Sequence, residues 1–379
     1  MSHPSRASFD IPAGVAYLNC AYLSPLMKSV TRAGADAVLR KARPWDIVYK
    51  DFFEEVEVLR AAFASLIGAG AGDIAITGSS AYGISTVAAN LSLAAGDNIV
   101  VPAGEHASTH HRWRTEALIH SAELRAASPI DNQSWAEAIV AQIDDRTRVV
   151  SVPHVHWSDG AIFDLDMIGR RARAVGAVLV IDGTQSIGAL PFDIRELQPD
   201  YVVCSAYKWL LCPYGFAFLY VAPRHHGGRP LEDHYFHRLG VEGHEGKLEQ
   251  INQYDHGARR FDTAERANFI TVPMSIVALH TLARWSVAEV QRLVAPLAGA
   301  IVAAALPLGY SAAEPHLRSA HLFGLRRAGG LPAGLPASLR AANVFVSIRG
   351  DAIRISPHVY NTEADVDCLI GALRAAGRN

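Results

Sequence analysis

The chain has 379 residues, half of them apolar, which is enough for a large core and suggests two domains. A formal net charge of −2 gives no electrostatic reason to expect a nucleic acid or an acidic membrane as partner. The four cysteines lack C-x-x-C spacing and no stretch approaches the length of a membrane span, so we expect a cytoplasmic protein without structural zinc or disulfides.

Short apolar runs that end in small or polar residues predict strands buried on both faces of a sheet. In chain order these runs are 73–80, 98–106, 148–157, 177–185, 200–208 and 216–223. Helical spacing of apolar residues lies between several of them, after Gly83 and again from Leu165 to Val175. Alternating strands and helices predict a mostly parallel sheet with helices on both sides, and ligands bind beyond the carboxyl ends of such strands.

The composition and the predicted secondary structure change twice in the second part of the chain. Residues 224–270 are polar and rich in glycine and histidine, and they are too long for an ordinary connection, so we expect a functional or interfacial role. A helical pattern follows in "VPMSIVALHTLARWSVAEVQRLV", and a smaller C-terminal unit completes the chain. The sequence therefore predicts a large domain followed by a small one.

Residues suited to catalysis stand at the ends of two successive predicted strands. One run ends in Asp182-Gly183-Thr184-Gln185, and the next ends in Ser205-Ala206-Tyr207-Lys208. A lysine held among apolar side chains has its ammonium form disfavoured, and its neutral amine can form a Schiff base with a carbonyl or with pyridoxal phosphate. That cofactor also needs an acid near its ring nitrogen and donors for its phosphate. Asp182 and the nearby hydroxyls meet both needs.

The stretch "VLVIDGTQSIGALPFDIRELQPDYVVCSAYKWLLCPYGFAFLYV", residues 178–221, resembles the core of the class V aminotransferase family of pyridoxal-phosphate enzymes. That family includes cysteine desulfurases, selenocysteine lyases, kynureninase and isopenicillin N epimerase, and the resemblance extends from about residue 15 to the C-terminus. It implies an α/β fold of fold-type I, with a mostly parallel seven-stranded sheet in the large domain and a smaller α+β domain. The implied units are an N-terminal segment at 1–15 on the small domain, the cofactor-binding domain at 16–260 and the small domain at 261–379.

The resemblance also implies roles for single residues at the cofactor. Lys208 holds pyridoxal 5'-phosphate as a Schiff base, Asp182 pairs with the ring nitrogen, and Gln185 donates toward the phenolic oxygen. His106 stacks on the ring. The phosphate is bound by Ser80, the backbone amide of Ala81, Ser205 and Tyr207, and by Asn268 of a second subunit.

On the substrate side, the resemblance implies that Arg354 binds the carboxylate and that Tyr22 and Asn19, in "LNCAYLSP", lie close by. Trp157 stands where many relatives place an asparagine toward the phenolic oxygen, and an indole N–H can only donate. The segment 257–269, which contains Arg259 and Arg260, is expected to reach the partner's cofactor in a homodimer with shared active sites.

Differences between this sequence and the family's pattern reduce the number of reactions that we expect it to catalyse. Desulfurases carry a mobile cysteine shortly before the carboxylate-binding arginine, whereas this chain reads "ANVFVSIRGDAIRIS" there and Cys368 comes too late. We therefore expect a lyase that eliminates a sulfur or selenium group from Cβ of an L-amino acid. An aminotransferase using a 2-oxo acid and an epimerase remain alternatives. The epimerase needs a second base opposite Lys208, for which Tyr22 or a histidine of 224–256 is the candidate.

Overall fold

The computed structural model describes residues 4–130, 133–243 and 252–377. Its strands are β1 (Ala16–Tyr17), β2 (Ile74–Thr77), β3 (Asn98–Pro102), β4 (Glu123–Ala127), β5 (Thr147–Pro153), β6 (Val178–Asp182), β7 (Tyr201–Ser205), β8 (Ala217–Val221), β9 (Tyr310–Ser311), β10 (Phe323–Arg327), β11 (Val344–Phe345), β12 (Ser347–Arg349) and β13 (Ala352–Ile355). Its helices are α1 (Lys28–Lys41), α2 (Glu54–Ile67), α3 (Ser80–Ala88), α4 (Ala107–His120), α5 (Trp135–Ala141), α6 (Leu165–Ala174), α7 (Ile194–Leu197), α8 (Thr271–Trp285), α9 (Val287–Ala305), α10 (Leu335–Ala341) and α11 (Glu363–Ala376).

The large sheet has seven strands in the order β2-β8-β7-β6-β5-β3-β4. Strand β8 runs antiparallel to both of its neighbours, and the remaining pairs are parallel. The predicted mostly parallel sheet with flanking helices is thereby confirmed. The carboxyl ends of β3, β5, β6 and β7 meet at one edge, which is where a sheet of this kind binds its ligands.

Each of the six apolar runs forms a strand of this sheet, because residues without a polar face are stable only where both faces are covered. The seventh strand, β4, was not predicted. Its sequence "ELRAA" is partly exposed, because β4 lies at the edge of the sheet and packs less of its surface than the central strands do. Edge strands therefore escape a search for apolar runs.

The small domain is built on a four-stranded antiparallel sheet of order β12-β13-β10-β9 with α10 and α11. Helix α8 packs against α1 and α2 in the core of the large domain. The first half of α9 contributes Val290 and Val294 to the same core. Only from Ala298 onward does α9 contribute to the core of the small domain. The boundary expected at residues 260/261 stays a prediction, and the packing of the two cores favours a boundary inside α9.

The N-terminal segment touches both units. Phe9 packs in the core of the large domain, with its ring 6.4 Å from that of Trp285 and 5.0 Å from that of Tyr360. Arg6 forms an ion pair with Asp365 of α11 at 3.0 Å. Phe9 therefore packs on the large domain and Arg6 pairs with α11, and the expected packing of this segment on the small domain stays a prediction. The first three residues of the predicted unit 1–15 lie outside the described residues.

One helix of the described residues is long and apolar enough, by length and composition alone, to cross a membrane. It covers Val287–Leu308, with a mean hydropathy of 1.5. The expectation that no stretch approaches this length was therefore wrong. Five buried residues recur along α9 at spacings of three and four: Val290, Val294, Ala298, Ile301 and Ala305. This spacing places them on one face, which packs on the protein.

The long polar segment is held against the sheet by a buried ion pair. Asp262 accepts hydrogen bonds from Arg60 Nη2 at 2.7 Å and from the backbone N–H of Ile76, in β2, at 2.8 Å. Thr263 N–H donates to the carbonyl of Ile76 at 2.9 Å. Residues 257–266 are therefore fixed beside β2, the strand that leads into α3, while residues 244–251 of the segment lie outside the described residues.

Removing this buried carboxylate should cost considerable stability. Asp262→Ala leaves the fully buried Arg60 guanidinium with Glu57 as its remaining carboxylate partner among the described residues and also removes the ion pair with Arg266, and such a loss costs about 3–5 kcal/mol of unfolding free energy. Thermal unfolding measures the effect. The matched control is Asp166→Ala, because the Asp166–Arg170 pair is exposed and contributes less than about 1 kcal/mol. Equal melting temperatures for Asp262→Ala and the parent protein would contradict the assignment.

Candidate active site

The predicted catalytic residues come together where β6 and β7 end side by side. Asp182 is the last residue of β6 and Ser205 is the last residue of β7. Thr184 links the two strand ends, because its hydroxyl accepts a hydrogen bond from Ser205 N–H at 3.0 Å while its own N–H donates to Asp182 Oδ1 at 2.8 Å. Lys208 follows in the turn after β7, next to the buried Trp209. The expected edge of the sheet therefore carries the site.

Two adjoining cavities occupy this edge. The inner cavity has a volume of about 40 Å³ and is lined by Ser80, Glu105, His106, Pro153, Val155, Trp157, Asp182, Thr184, Gln185, Ser205, Tyr207 and Lys208. The outer cavity has a volume of about 440 Å³ and is lined by Ala21, Tyr22, Leu23, His106, Trp157, Tyr207, Lys208, Tyr214, Arg349 and Arg354. Four side chains border both cavities, and Lys208 is one of them.

The environment of Lys208 favours its neutral amine. Burial, opposed by Asp182 and helped by the positive charge of Arg354, lowers the pKa of Lys208 to about 8. Charging the amine in this place means desolvating an ammonium ion, which apolar neighbours do not compensate. A neutral amine is the nucleophilic form of lysine.

This shift predicts a specific pH dependence for the chemical labelling of Lys208. Because its pKa is lowered to about 8, roughly a quarter of the amines are neutral at pH 7.5, against about one in a thousand at the ordinary value. Acetylation of the cofactor-free protein, followed by peptide mapping, should show labelling of Lys208 that rises through pH 8 and levels off above pH 9. Lys50, whose side chain is exposed, provides the surface reference. A labelling midpoint at or above pH 10 would contradict the lowered pKa.

The start of α3 offers hydrogen-bond donors to the inner cavity. Ser79 caps the helix, since its hydroxyl accepts from Tyr82 N–H at 3.1 Å, and the next residues begin the first turn. Ser80 Oγ accepts a hydrogen bond from Ser205 Oγ at 3.0 Å. Ala81 follows in the first turn, where backbone N–H groups have no acceptor within the helix and attract anions. The predicted phosphate-binding hydroxyls of Ser80 and Ser205 are thus in contact.

Glycine at position 83 allows this contact between α3 and the sheet. A Cβ atom at Gly83 would stand 2.8 Å from the Val203 side chain of β7. Any larger residue would push α3 away from the strand, and Ser80 would then move away from Ser205.

His106 and Trp157 form one wall shared by the two cavities. Their rings meet edge to face, with centroids 5.7 Å apart. The indole N–H of Trp157 donates to the carbonyl of Gly104 at 2.9 Å. Because this donor is engaged, Trp157 contributes the surface of its ring to the cavity, and the expected donation toward a cofactor oxygen is not available from it. Burial lowers the pKa of His106, which favours an uncharged imidazole.

Gln185 is held at the floor of the inner cavity. Its side-chain amide donates to the carbonyl of Ala21 at 3.2 Å, and its Oε1 accepts from the indole of Trp209 at 2.9 Å. An amide nitrogen carries two hydrogens, so one of them can still donate into the cavity. The predicted donation by Gln185 is therefore chemically available.

Arg354 borders the outer cavity, where a substrate carboxylate is expected. One of its guanidinium nitrogens, Nη1, donates to the carbonyl of Trp157 at 2.8 Å, and Nη2 lies 3.4 Å from the hydroxyl of Ser347. Ser347 in turn donates to Oδ1 of Asn19 at 2.9 Å. Asn19 lines neither cavity, and Ser347 lies between it and Arg354. Its direct contact with substrate therefore stays a prediction. Tyr22 does line the outer cavity, and 59% of its surface is exposed.

Two further predicted features do not reach either cavity within this chain. Asn268 caps α8, because its Oδ1 accepts from the N–H of Thr271 at 3.0 Å, and it lies on a separate cavity near Phe52. The described histidines of 224–256 line neither of the two cavities. His244, which belongs to the same segment, lies outside the described residues.

The structure adds Glu105, Arg349 and Tyr214 to the predicted residues. Glu105 comes directly before His106, at the end of the loop after β3, so its position beyond a strand end was a usable signal. Burial and the nearby charge of Asp182 raise the pKa of Glu105 to about 8. Arg349 and Tyr214 gave no comparable signal, because they enter the cavity from a hairpin and from a loop.

Comparisons with known proteins agree with this geometry. The sequence model described as aminotransferase class-V matches residues 43–250. A protein described as an uncharacterized aminotransferase from Bacillus subtilis is 29% identical over 93% of this chain and 92% of its own length. Isopenicillin N epimerase from Streptomyces clavuligerus is 28% identical over 88% of this chain and 87% of its own length.

Solved structures show the same fold. The apo structure of a cysteine desulfurase from Thermococcus onnurineus has a TM-score of 0.87 at 20% identity, covering all of this chain and 99% of the other. A variant of the protein C-DES, with glycine covalently linked to its pyridoxal-phosphate cofactor, has a TM-score of 0.89 at 19% identity and covers 98% of this chain. At this level of identity the likeness concerns the fold.

The residues at the two cavities fit pyridoxal phosphate. The hydroxyls of Ser80 and Ser205 and the start of α3 suit a phosphate, and Lys208 supplies the amine. The carboxylate of Asp182 suits a protonated ring nitrogen. The inner cavity alone has little more than the volume of one water molecule, so the ring would extend into the border shared with the outer cavity.

The sequence match covers more than half of the chain, and it includes the segment in which Asp182 and Lys208 converge. The relatives that match over most of their length, and the similar fold, agree with this family. The chain is an enzyme of the class-V aminotransferase family, whose cofactor is pyridoxal 5'-phosphate.

Proposed function

We propose that the protein is a lyase that removes the Cα proton of an L-amino acid and eliminates a sulfur or selenium group from Cβ. The observation that carries the proposal is that Lys208 and Arg354 border the same cavity of about 440 Å³. A carboxylate bound by Arg354 would place the remainder of an amino acid between that guanidinium and the lysine amine. One base suffices for elimination, and Lys208 is that base.

Each residue around the cavity has a definite task in this proposal. When bound, the cofactor would supply an electron-accepting ring to stabilise negative charge at Cα. Asp182 keeps a proton on the ring nitrogen, which is needed for that acceptance. Arg354 orients the substrate through its carboxylate, in the two-pronged manner that a guanidinium allows. Lys208 takes the proton, and Tyr207, which borders both cavities, contributes a hydroxyl beside it.

The cysteines support elimination over persulfide formation. Cys20, Cys204 and Cys212 are buried, and none of the described cysteines lines either cavity. Burial raises the pKa of Cys20 to about 12, so its thiol stays protonated at neutral pH. Without a thiolate at the cavity, a sulfur group released from Cβ has no protein acceptor and leaves as a free product.

Epimerisation is the second candidate. The Streptomyces relative that matches most of the chain is an isopenicillin N epimerase, and two tyrosines, Tyr22 and Tyr214, border the outer cavity together with Lys208. A tyrosine on the opposite face of Cα could return the proton there. Transamination is the third candidate, and it is supported by the Bacillus relative described as an aminotransferase.

Analysis of products from a panel of L-amino acids separates these reactions. The proposal predicts a 2-oxo acid and ammonia in equal amounts, with the released sulfur or selenium compound, and no lasting change of the cofactor. Conversion of the cofactor to its amine form would instead show transamination. Appearance of the D-enantiomer without net consumption would show epimerisation, and either result would overturn the lyase proposal.

The cavities are also proposed to be completed by a second copy of the chain. Residues 257–266 are fixed beside β2, the strand that leads into α3 and the proposed phosphate site. Arg259 is engaged in an ion pair with Glu57 at 2.7 Å, whereas Arg260 forms no ion pair with a described residue and its Nε is buried without a partner. Asn268 is exposed. We therefore expect Arg260 and Asn268 to face a partner subunit.

Complementation tests this arrangement. Subunits with Lys208→Ala are mixed with subunits carrying Arg260→Ala and Asn268→Ala, each inactive alone. If sites are shared, one of the two sites in a mixed dimer contains neither change, so up to about half of the activity should return in those dimers. Mixed dimers that form without any recovery would contradict shared sites, as would a fully active monomer in sedimentation.

A further inference from the structure

The outer cavity contains a second arginine on the same face of the hairpin as Arg354. Strands β12 and β13 pair antiparallel, with Ser347 directly opposite Arg354. Arg349 follows Ser347 by two residues and therefore points to the same side of the hairpin. Residues placed diagonally in this way have Cα atoms roughly 7–8 Å apart. Both guanidinium groups border the cavity that also contains Lys208.

Neither arginine has a carboxylate partner among the described residues. The nearby acids Asp159 and Asp351 both pair with another arginine, Arg326, each at 3.2 Å. Arg349 Nη1 donates to the carbonyl of Ile348 at 3.2 Å, and its Nε is buried without a partner. The Nε atom of Arg354 is buried without a partner as well. Two guanidinium groups without a carboxylate partner among the described residues therefore border one cavity.

This arrangement favours an anion in the cavity. Burial, and to a smaller extent repulsion from Arg349, lower the pKa of Arg354 to about 10. The guanidinium of Arg349 lies 5.8 Å from the ring centroid of Trp157, so it is held over the cavity wall that the substrate would touch. A single α-carboxylate neutralises one of the two charges and leaves the other without a partner.

We infer that the substrate carries a second carboxylate at the end of its side chain, and that Arg349 binds it. This inference rests on the proposed function for the position of the α-carboxylate at Arg354. The guanidinium of Arg349 would donate two parallel hydrogen bonds to the terminal carboxylate. A side chain that ends in an uncharged amide would leave the guanidinium of Arg349 without its anion, and would be disfavoured. The substrate class is therefore an acidic L-amino acid, including β-thioether amino acids with a carboxylated leaving group.

Matched pairs of amino acids test this inference. S-carboxymethyl-L-cysteine and S-carbamoylmethyl-L-cysteine differ in the terminal carboxylate alone, as do glutamate and glutamine. Loss of the Cα proton in D₂O, followed by NMR, reports Cα chemistry for all four compounds, whichever reaction follows. The parent holoenzyme should exchange the acidic member of each pair with a kcat/KM at least about tenfold higher, as expected for a hydrogen bond to a charged group.

Substitution of Arg349 should remove this preference selectively. Arg349→Gln should lower kcat/KM for the acidic members about 10- to 100-fold and change the neutral members less than about threefold. Arg349→Lys keeps the charge and should restore part of the preference. Arg327→Gln is the matched control, because Arg327 lies on a different cavity, near Tyr310, and it should leave all four rates unchanged.

Binding of unreactive ligands to the holoenzyme gives a readout that does not depend on turnover. Glutarate should bind at least about tenfold more tightly than its monoamide in calorimetry, and Arg349→Gln should abolish the difference. If Arg349→Gln weakens acidic and neutral compounds equally, both arginines bind one carboxylate and the inference is wrong. If no amino acid loses its Cα proton while glutarate is still preferred through Arg349, the inference stands and the proposed function fails. Equal binding of the two ligands overturns the inference.

Discussion

Lys208→Ala is expected to abolish turnover, with a residual rate at least about 10⁴-fold below that of the parent enzyme. The lysine amine is the group that attaches the cofactor and the base that takes the Cα proton, so its removal affects both tasks at once. The nucleophilic form of the amine is favoured by burial, which lowers the pKa of Lys208 to about 8. Alanine cannot replace either function, and its smaller volume leaves the packing of Trp209 intact.

Steady-state kinetics over the amino acids that the parent enzyme accepts measure this loss. Lys50→Ala is the control, because the Lys50 side chain is exposed and forms only a surface ion pair with Glu54. It should retain full activity. Circular dichroism should show that Lys208→Ala is folded. Turnover within tenfold of the parent rate in folded Lys208→Ala protein would remove Lys208 from the mechanism.

Asp182→Asn is expected to lower kcat by several decades while the protein stays folded. A carboxylate at the end of β6 stabilises a proton on the cofactor's ring nitrogen, and a neutral amide stabilises it far less. Each unit by which the pKa of that nitrogen falls corresponds to about 1.4 kcal/mol, and the loss of a buried opposite charge amounts to several such units. The hydrogen bond that Asp182 Oδ1 accepts from Thr184 N–H can be accepted equally by an asparagine oxygen.

Comparison of rate and cofactor content isolates this effect from misfolding. Asp182→Asn should retain much of its cofactor, as judged by absorbance of the purified protein, while Cα proton exchange slows along with turnover. The control Asp166→Asn changes an exposed carboxylate of α6 and should have no effect on either quantity. Near-normal turnover in Asp182→Asn would show that the ring nitrogen does not depend on this carboxylate.

Much of the large domain and the centre of the site could be predicted because their signals are local in sequence. Strands β6 and β7 are apolar up to their last residues, Asp182 and Ser205, and Lys208 follows in the turn after β7. Such a pattern needs no knowledge of distant contacts. The resemblance to a known family then assigned a role to each of these residues, including Arg354.

Other features depend on contacts between distant parts of the chain and gave no local signal. The indole N–H of Trp157 is engaged by Gly104, 53 residues earlier, which only the folded structure reveals. Asn19 accepts a hydrogen bond from Ser347 because the neighbouring Leu18 packs in the same core as Ile353 of β13. Arg349 has no carboxylate partner among the described residues because the acid near it in sequence, Asp351, pairs with Arg326 instead.

The most direct test of the account is to reduce the holoenzyme with borohydride and map the modified peptide by mass spectrometry. Reduction fixes the cofactor covalently to the amine that holds it, so the site of attachment becomes an observable residue. The account predicts one adduct per chain, on Lys208, in the peptide that contains Tyr207 and Trp209. An adduct on any other lysine, or cofactor that is released unmodified after reduction, would contradict the assignment of the active site.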